Sequence, residues 1–214
     1  GLRDNTILIF MTDNGGTAGA KVWNAGLREG KTTFYDGGHR VPCWVRWPNG
    51  RLGEARDIPT PTQIQDILPT LLELCDVKAP ASARFDGLSL AGMLRGQGQL
   101  PDRKLVVQYS RARLEKWESA VVWNQWRLVH GKELYDMGGD RAQATDVSSQ
   151  HPDILAQLRA HYEHWWKELE PLAGEFVTTS LGAQEQPVAN LTSADWQDVY
   201  VDNARHVRQA NGGP

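Results

Sequence analysis

Apolar and polar positions divide the chain into three regions with different periods. Thr6 to Met11 form a continuous apolar run rich in Ile, which suits a strand buried on both faces, as in a parallel sheet. Asp13-Asn14-Gly15-Gly16 ends that run with a strong turn signal. Residues 17–38 are glycine-rich and aperiodic, which predicts a long loop. Loops of that length in compact domains are usually functional or disordered. Val41 to Trp47 predicts a second strand, closed by Pro48-Asn49-Gly50.

The second region carries a helical period. Ile64, Ile67, Leu68, Leu71, Leu72 and Cys75 fall on one stripe, which predicts a helix over Pro61 to Asp76. Thr60 suits its N-cap and Pro61 its first turn. Pro69 lies inside and is expected to bend the helix or remove one ladder bond. A short helix is expected over Leu88 to Leu94, after Asp86-Gly87.

The polar stretch Gly96 to Pro101 marks a boundary, and beyond it short strands are predicted. These are Leu105–Tyr109, Ala120–Trp123, Trp126–His130 and Glu133–Tyr135, with turns at Asn124-Gln125 and Gly131-Lys132. The spacing predicts an antiparallel meander. A helix follows from Pro152 to about Glu168, with Ile154, Leu155, Leu158, Tyr162, Trp165 and Trp166 on one side. Strands packed on one amphipathic helix make a small α+β unit. Periodicity fades from Leu172.

Composition narrows the function classes. The chain has 214 residues, enough for one large domain or two small ones, with 40% hydrophobic and 23% charged residues. A net charge of -3 gives no electrostatic reason to expect nucleic acid or an anionic membrane. Two cysteines, Cys43 and Cys75, are too few for a disulfide framework and read as separate buried thiols. No apolar run approaches the roughly 20 residues of a membrane span, and no signal-peptide pattern opens the chain.

Candidate chemistry concentrates between Asp13 and His39. Asp13 and Asn14 offer hard oxygen donors at a strand's C-terminal end, where open α/β sheets place ligands. The same residues also make an ordinary turn. Two donors are fewer than the roughly six to eight oxygens calcium takes. Lys31, between Gly30 and Thr32-Thr33, can hold a sulfate or phosphate oxygen, or stand as a solvated loop lysine. His39 can donate to a substrate oxygen or act as a general acid; it can equally satisfy backbone carbonyls around Gly37-Gly38. His161 and His164 share a helix face without a carboxylate partner set and read as a solvated edge.

Taken in order, these segments resemble the sulfatase family. The resemblance rests on Thr12-Asp13-Asn14-Gly15-Gly16, on Leu27-Arg28-Glu29-Gly30-Lys31-Thr32-Thr33, and on Asp36-Gly37-Gly38-His39-Arg40-Val41-Pro42. Asp66 to Leu74, Asp86 to Leu90, Trp126 to Val129, Glu133 to Met137, and the helix opened by His151-Pro152 extend it over residues 1–170. It implies an α/β fold. Residues 1–98 would be the C-terminal part of an alkaline-phosphatase-like sheet with helices. Residues 99–172 would be a small α+β subdomain with an antiparallel sheet and one long helix, and 173–214 an extension or tail.

The resemblance further implies sulfate-ester hydrolysis with a bound calcium. Asp13 and Asn14 would be metal ligands and Lys31 a catalytic and sulfate-binding residue; His39 carries no fixed family role and is expected, from its place beside them, to be substrate-binding through the alcohol part. The family's nucleophile is a formylglycine made within a Cys/Ser-x-Pro-x-Arg motif, and no cysteine or serine of this chain fits it. The expectation is therefore a sulfatase portion lacking its front, inactive alone. Expected partners are a sulfated small molecule or glycan, with neither nucleic acid nor membrane, and self-association through exposed sheet edges. The resemblance alone favours a periplasmic or extracellular site. A phosphodiesterase or phosphonate hydrolase of the same superfamily, and a non-catalytic binding subunit, are the competing expectations.

Overall fold

A computed structural model describes residues 2–110 and 113–173. The expected extension lies, beyond Ala173, outside the described residues. The two strands predicted in the first region are present as shorter segments, β1 (Leu8–Met11) and β2 (Cys43–Arg46). They pair antiparallel, with Leu8 opposite Arg46 and Phe10 opposite Trp44. Burial on both faces, expected from the apolar run, is not found. Leu8, Phe10 and Trp44 are 57%, 59% and 62% exposed, and the Phe10 and Trp44 rings pack 5.4 Å apart on the open face. An uninterrupted apolar run has no period that separates a parallel from an antiparallel neighbour. Cys43 and Cys75 are free, as expected, but exposed rather than buried.

The helix predicted over Pro61 to Asp76 is shorter. A 3-10 turn, Ile64–Asp66, leads into α2 (Ile67–Leu74). The cap is Gln63, whose backbone N–H donates to Asp66 Oδ2 at 2.9 Å. Starting at Ile67 places Pro69 in the first turn, where an N–H has no intrahelical partner, so the ring breaks no ladder bond. Between Gly87 and Arg95 only α3 (Ala91–Leu94) is helical.

Asp66 ties this region together. Its buried carboxylate accepts from Arg103 Nη1 at 2.8 Å, Arg103 Nη2 at 2.6 Å and the Leu88 N–H at 2.9 Å. Burial alone would raise its pKa. The Arg103 fork and the Leu88 and Gln63 N–H groups outweigh that, holding the carboxyl below its usual range. Gly87 passes so close that an added Cβ would sit 2.0 Å from the Gln65 carbonyl oxygen. That contact gives Asp86-Gly87-Leu88 a physical reason: only glycine lets the Leu88 amide reach Asp66.

The meander forms as predicted. β3 (Leu105–Gln108), β4 (Ser119–Trp123), β5 (Trp126–Val129) and β6 (Glu133–Asp136) pair antiparallel in chain order. Side chains alternate strictly between its faces. Val121, Leu128 and Leu134 pack with Leu158, Tyr162 and Trp166 of α4 (Pro152–Leu169). Ala120, Val129 and Tyr135 on the other face pack with Phe34, and Tyr35 lies against them. Each buried Leu or Val contributes about 1.5–3 kcal/mol by leaving water. Tyr162 stacks on Trp117 at 4.2 Å and its hydroxyl donates to Gln108 Oε1 at 3.1 Å, so its polar end is satisfied inside the core. The second face bears on function, because Phe34 directly follows the Lys31 loop.

Candidate functional site

Three backbone segments meet beyond the end of β1. The Gly15 N–H donates to the Gly38 carbonyl at 2.9 Å, and the Lys31 N–H donates to the Gly16 carbonyl at 2.9 Å. Gly15 and Gly16, which follow Asp13-Asn14, are thus bonded to the residue before His39 and to the residue after Gly30, respectively. Two glycines make this approach feasible. A Cβ on Gly15 would lie 1.7 Å from the Gly37 carbonyl oxygen, and one on Gly30 would lie 2.5 Å from the Gly16 carbonyl oxygen. Any larger residue at either position would force the segments apart.

The loop around Lys31 is strained. Glu29 and Thr32 have φ values of 61° and 75°. A β-branched residue in the left-handed region is unfavourable, by about 1–3 kcal/mol, and persists only where its surroundings over-determine it. Here those surroundings are the Lys31 to Gly16 bond, the Gly37 N–H to Arg28 carbonyl bond at 2.9 Å, and the Thr33 hydroxyl donating to the Gly30 carbonyl at 2.8 Å.

The candidate side chains differ in how they are held. Asp13 and Lys31 are exposed, and neither makes a side-chain hydrogen bond or ion pair among the described residues. Asn14 is half-buried, with Nδ2 donating to the Gly15 carbonyl at 2.9 Å; its Oδ1 has no donor among the described residues. Lys31 lines an open cavity of about 480 Å³ together with Lys21, Asn24, Glu29, Thr32 and Thr33. Asp13, Asn14 and His39 lie outside that lining. Among the described residues no three His, Cys, Asp or Glu side chains gather as a metal cluster. His164 faces Glu168 at 3.8 Å on the exposed side of α4.

His39 closes the one-turn helix α1 (Asp36–His39). Its Nε2 lies 3.2 Å from the Phe34 carbonyl oxygen, so Nε2 carries the proton and donates. Burial lowers its pKa, Arg127 and Arg40 add to that, and Asp36 and the Phe34 bond oppose it. A neutral ring with Nε2–H committed leaves Nδ1 as an acceptor.

A buttress that the sequence did not reveal stands behind this loop. Asp36 is fully buried; its Oδ1 accepts from Arg127 Nε of β5 at 2.9 Å and its Oδ2 from Arg40 at 3.4 Å. The Asp36 N–H donates to Gln143 Oε1 at 2.7 Å. Arg28 donates to the Gln143 carbonyl at 2.8 Å and to the Tyr135 hydroxyl at 3.0 Å, with its guanidinium 3.9 Å above the Tyr35 ring. The Tyr35 and Tyr135 hydroxyls both donate to Glu133 Oε2, at 2.8 and 2.6 Å. Burial and the bond to Glu133 push both phenols above the ordinary tyrosine value. The only local signal was the acid Asp36 ahead of a Gly-Gly pair; its partners lie on the distant meander.

Comparison with known proteins places these features in a family context. The family model described as Sulfatase matches residues 1–77. Arylsulfatase G of Mus musculus is 33% identical over 220 residues, covering 94% of this chain and 39% of that protein. Steryl-sulfatase of Mus musculus is 33% identical over 134 residues, covering 58% of this chain and 21% of that protein. The crystal structure of Ps i-CgsB in complex with k-i-k-neocarrahexaose superposes with a TM-score of 0.65 at 25% identity, over 76% of this chain and 36% of that one. The chain thus spans well under half the length of these relatives.

Proposed function

We propose that this chain, which belongs to the sulfatase family and shares its alkaline-phosphatase-like fold, supplies one wall of the site of a sulfuric ester hydrolase. In this proposal Asp13 and Asn14 hold one side of a divalent cation, and Lys31 holds one side of the sulfate group. The observation that supports it is the pair of backbone bonds, Gly15 to Gly38 and Lys31 to Gly16, that ties the glycines after the acid-amide pair to the lysine loop.

The donor set fits a hard cation in kind. An exposed carboxylate, without a partner among the described residues, adjoins an amide whose nitrogen is already committed, so oxygen is what both offer. Calcium is the family's expected ion. Two donors account for part of its shell, and the remainder would come from outside this chain, so affinity of this segment alone is expected to be weak. A bound divalent ion would supply Lewis-acid neutralisation of the sulfate oxygens.

The chain's own residues do the following. Lys31 places a full positive charge where negative charge develops on the transferring group, on a loop tied by the Lys31 N–H to the Gly16 carbonyl. The buttress of Asp36 and Arg127 keeps α1 seated on the meander, so that His39 stays beside the corner. Neutral His39, with Nδ1 free to accept, suits contact with a hydroxyl of the substrate alcohol rather than donation to it.

The nucleophile, a formylglycine in this family, is not encoded in these residues, so residues 1–214 alone are expected to be catalytically silent. The substrate is a sulfated small molecule or glycan, consistent with relatives named for aryl and steryl esters and with the neocarrahexaose complex. An exported location, periplasmic or extracellular, and self-association through β1 and β2 complete the proposal. Among the described residues no helix is long and apolar enough to cross a membrane. Calorimetric titration with calcium tests the metal assignment. Weak binding lost in Asp13→Asn is expected; binding of equal strength in that variant would overturn it.

A further inference from the structure

Residues 27–33 carry the Lys31 loop, and among the described residues only one of their side chains, Arg28, hydrogen-bonds beyond the segment. Arg28 Nη1 donates to the Gln143 carbonyl at 2.8 Å and to the Tyr135 hydroxyl at 3.0 Å. Its guanidinium lies 3.9 Å above the Tyr35 ring and 5.8 Å from the Tyr135 ring centre. Both acceptors are themselves held. Tyr135 is 3% exposed, and its hydroxyl donates onward to Glu133. Gln143 is fully buried, with Oε1 taken by the Asp36 N–H. A planar guanidinium between fixed oxygens and an aromatic face has one geometry available to it.

The Arg28 backbone is fixed as well. Its carbonyl accepts from the Gly37 N–H at 2.9 Å. A Cβ on Gly37 would lie 2.3 Å from that carbonyl oxygen, so the approach is closed to any larger residue. Asn24 Nδ2 donates to the carbonyls on either side, those of Leu27 at 3.1 Å and Glu29 at 2.6 Å. Only Glu29 and Gly30 separate Arg28 from Lys31, whose own N–H is bonded to the Gly16 carbonyl. With Glu29 at a φ of 61°, so short a step leaves little slack between the two anchors. The Asp36–Arg127 pair seats α1 and so bears on His39. Arg28 is a separate tie from the same meander, and it bears on the lysine. It does not line the Lys31 cavity, so it acts through the loop and not by touching the anion.

We infer that Arg28 is a positioning residue for Lys31: by fastening the loop to β6 and to the Gln143 backbone, it lets the meander set where the ammonium stands, and so how tightly sulfate is held. This rests on the assignment of Lys31 as the sulfate-binding residue.

The experiment uses the 214-residue chain as parent, Arg28→Met, Arg28→Lys, Arg103→Ala and Lys31→Ala. Amide-shift titration with inorganic sulfate reads affinity. Hydrogen exchange at the Lys31 amide, which the Gly16 carbonyl protects, reads the loop. Arg28→Met keeps an apolar stem and loses the donors, whereas Arg28→Lys keeps the charge and loses the planar fork. Arg103→Ala loosens the chain at Asp66, which makes no contact with the loop, and controls for stability alone. Residues that touch no ligand change its affinity by about 2- to 30-fold when they couple to it. Arg28→Met is expected to weaken sulfate by such a factor and to speed exchange at Lys31 more than at Leu128 of β5. Arg28→Lys is expected to do both to a smaller degree. Arg103→Ala is expected to melt lower and to bind sulfate as the parent does.

Parent affinity in Arg28→Met would overturn the positioning role. So would parent affinity and parent Lys31 exchange in Arg28→Lys, which would assign the effect to charge, or an equal loss in Arg103→Ala, which would assign it to stability. Each of these leaves Lys31 as the sulfate residue. Where Arg28→Met does not fold, Arg28→Lys decides: weaker sulfate with faster Lys31 exchange supports the role, and parent values of both overturn it. Sulfate unbound by the parent, or bound equally by Lys31→Ala, would overturn the assignment of Lys31 and the inference with it.

Discussion

Replacing Arg127 with methionine isolates the buttress behind the site. Arg127 Nε donates to Asp36 Oδ1 at 2.9 Å, with side-chain exposures of 9% and 1%. The guanidinium also donates to the Asn124 and Trp126 carbonyls at 2.8 and 3.0 Å. Removing one partner of a buried pair leaves an uncompensated charge and typically costs about 3–5 kcal/mol. Arg40, 3.4 Å from Asp36 and half exposed, recovers only a small part of that. Arg127→Met should therefore lower stability by about 3 kcal/mol or more, read from the midpoint of a urea transition at unchanged slope. Asp36→Asn/Arg127→Met should be less destabilised than the single variant, because no charge remains buried. His39 supplies a second readout. Arg127 helps to depress its pKa, so the histidine resonances of the variant should titrate at higher pH than in the parent. A variant that unfolds within about 1 kcal/mol of the parent, with His39 titrating unchanged, would refute the claim that the meander holds the loop.

Three further outcomes follow from the same geometry. Gly15→Ala should destabilise the chain and shift the Lys31 amide resonance, since its Cβ would meet the Gly37 oxygen at 1.7 Å; a parent-like melting temperature and spectrum would count against the packing of the corner. Asp66 is held below its usual range, so its stabilisation is complete above the unfolded value of about 3.9 and fades as pH falls through the native value. Arg103→Ala should accordingly move the acid-unfolding midpoint upward, and an unmoved midpoint would show that the fork is inert. His39 is depressed by burial, so the unfolded chain takes up its proton first; stability should decline as pH drops below about 6.5. His39→Gln should flatten that decline, whereas an identical slope would assign it to other groups.

The meander and α4 were legible because their side chains alternate or recur with a clean period. Val121, Leu128 and Leu134 point one way and Ala120, Val129 and Tyr135 the other, and the stripe of Leu158, Tyr162 and Trp166 keeps a helical spacing. The orientation of β1 and β2 was not legible, because Ile7 to Met11 hold no polar position to set a period. The first turn of the α2 region misled for a local reason: Thr60 and Pro61 are good start signals, but Gln63 and Asp66 make the cap. The backbone bonds that join Gly15 to Gly38 and Gly16 to Lys31 had no periodic signal either, since glycines carry no side-chain pattern. The buttress had no local signature at all. Asp36 and Arg127 are 91 positions apart, and Arg28 and Gln143 are 115 apart. Only the fold brings such charges together, and either member alone reads as an ordinary surface residue.

Sulfate affinity measured with and without millimolar calcium tests the central claim most directly. If Asp13, Asn14 and Lys31 form one corner for a cation and a tetrahedral anion, calcium should tighten sulfate binding in the parent. Asp13→Asn should abolish that enhancement, and Lys31→Ala should abolish sulfate binding itself. Sulfate bound equally well with and without calcium, and equally by Lys31→Ala, would contradict the account.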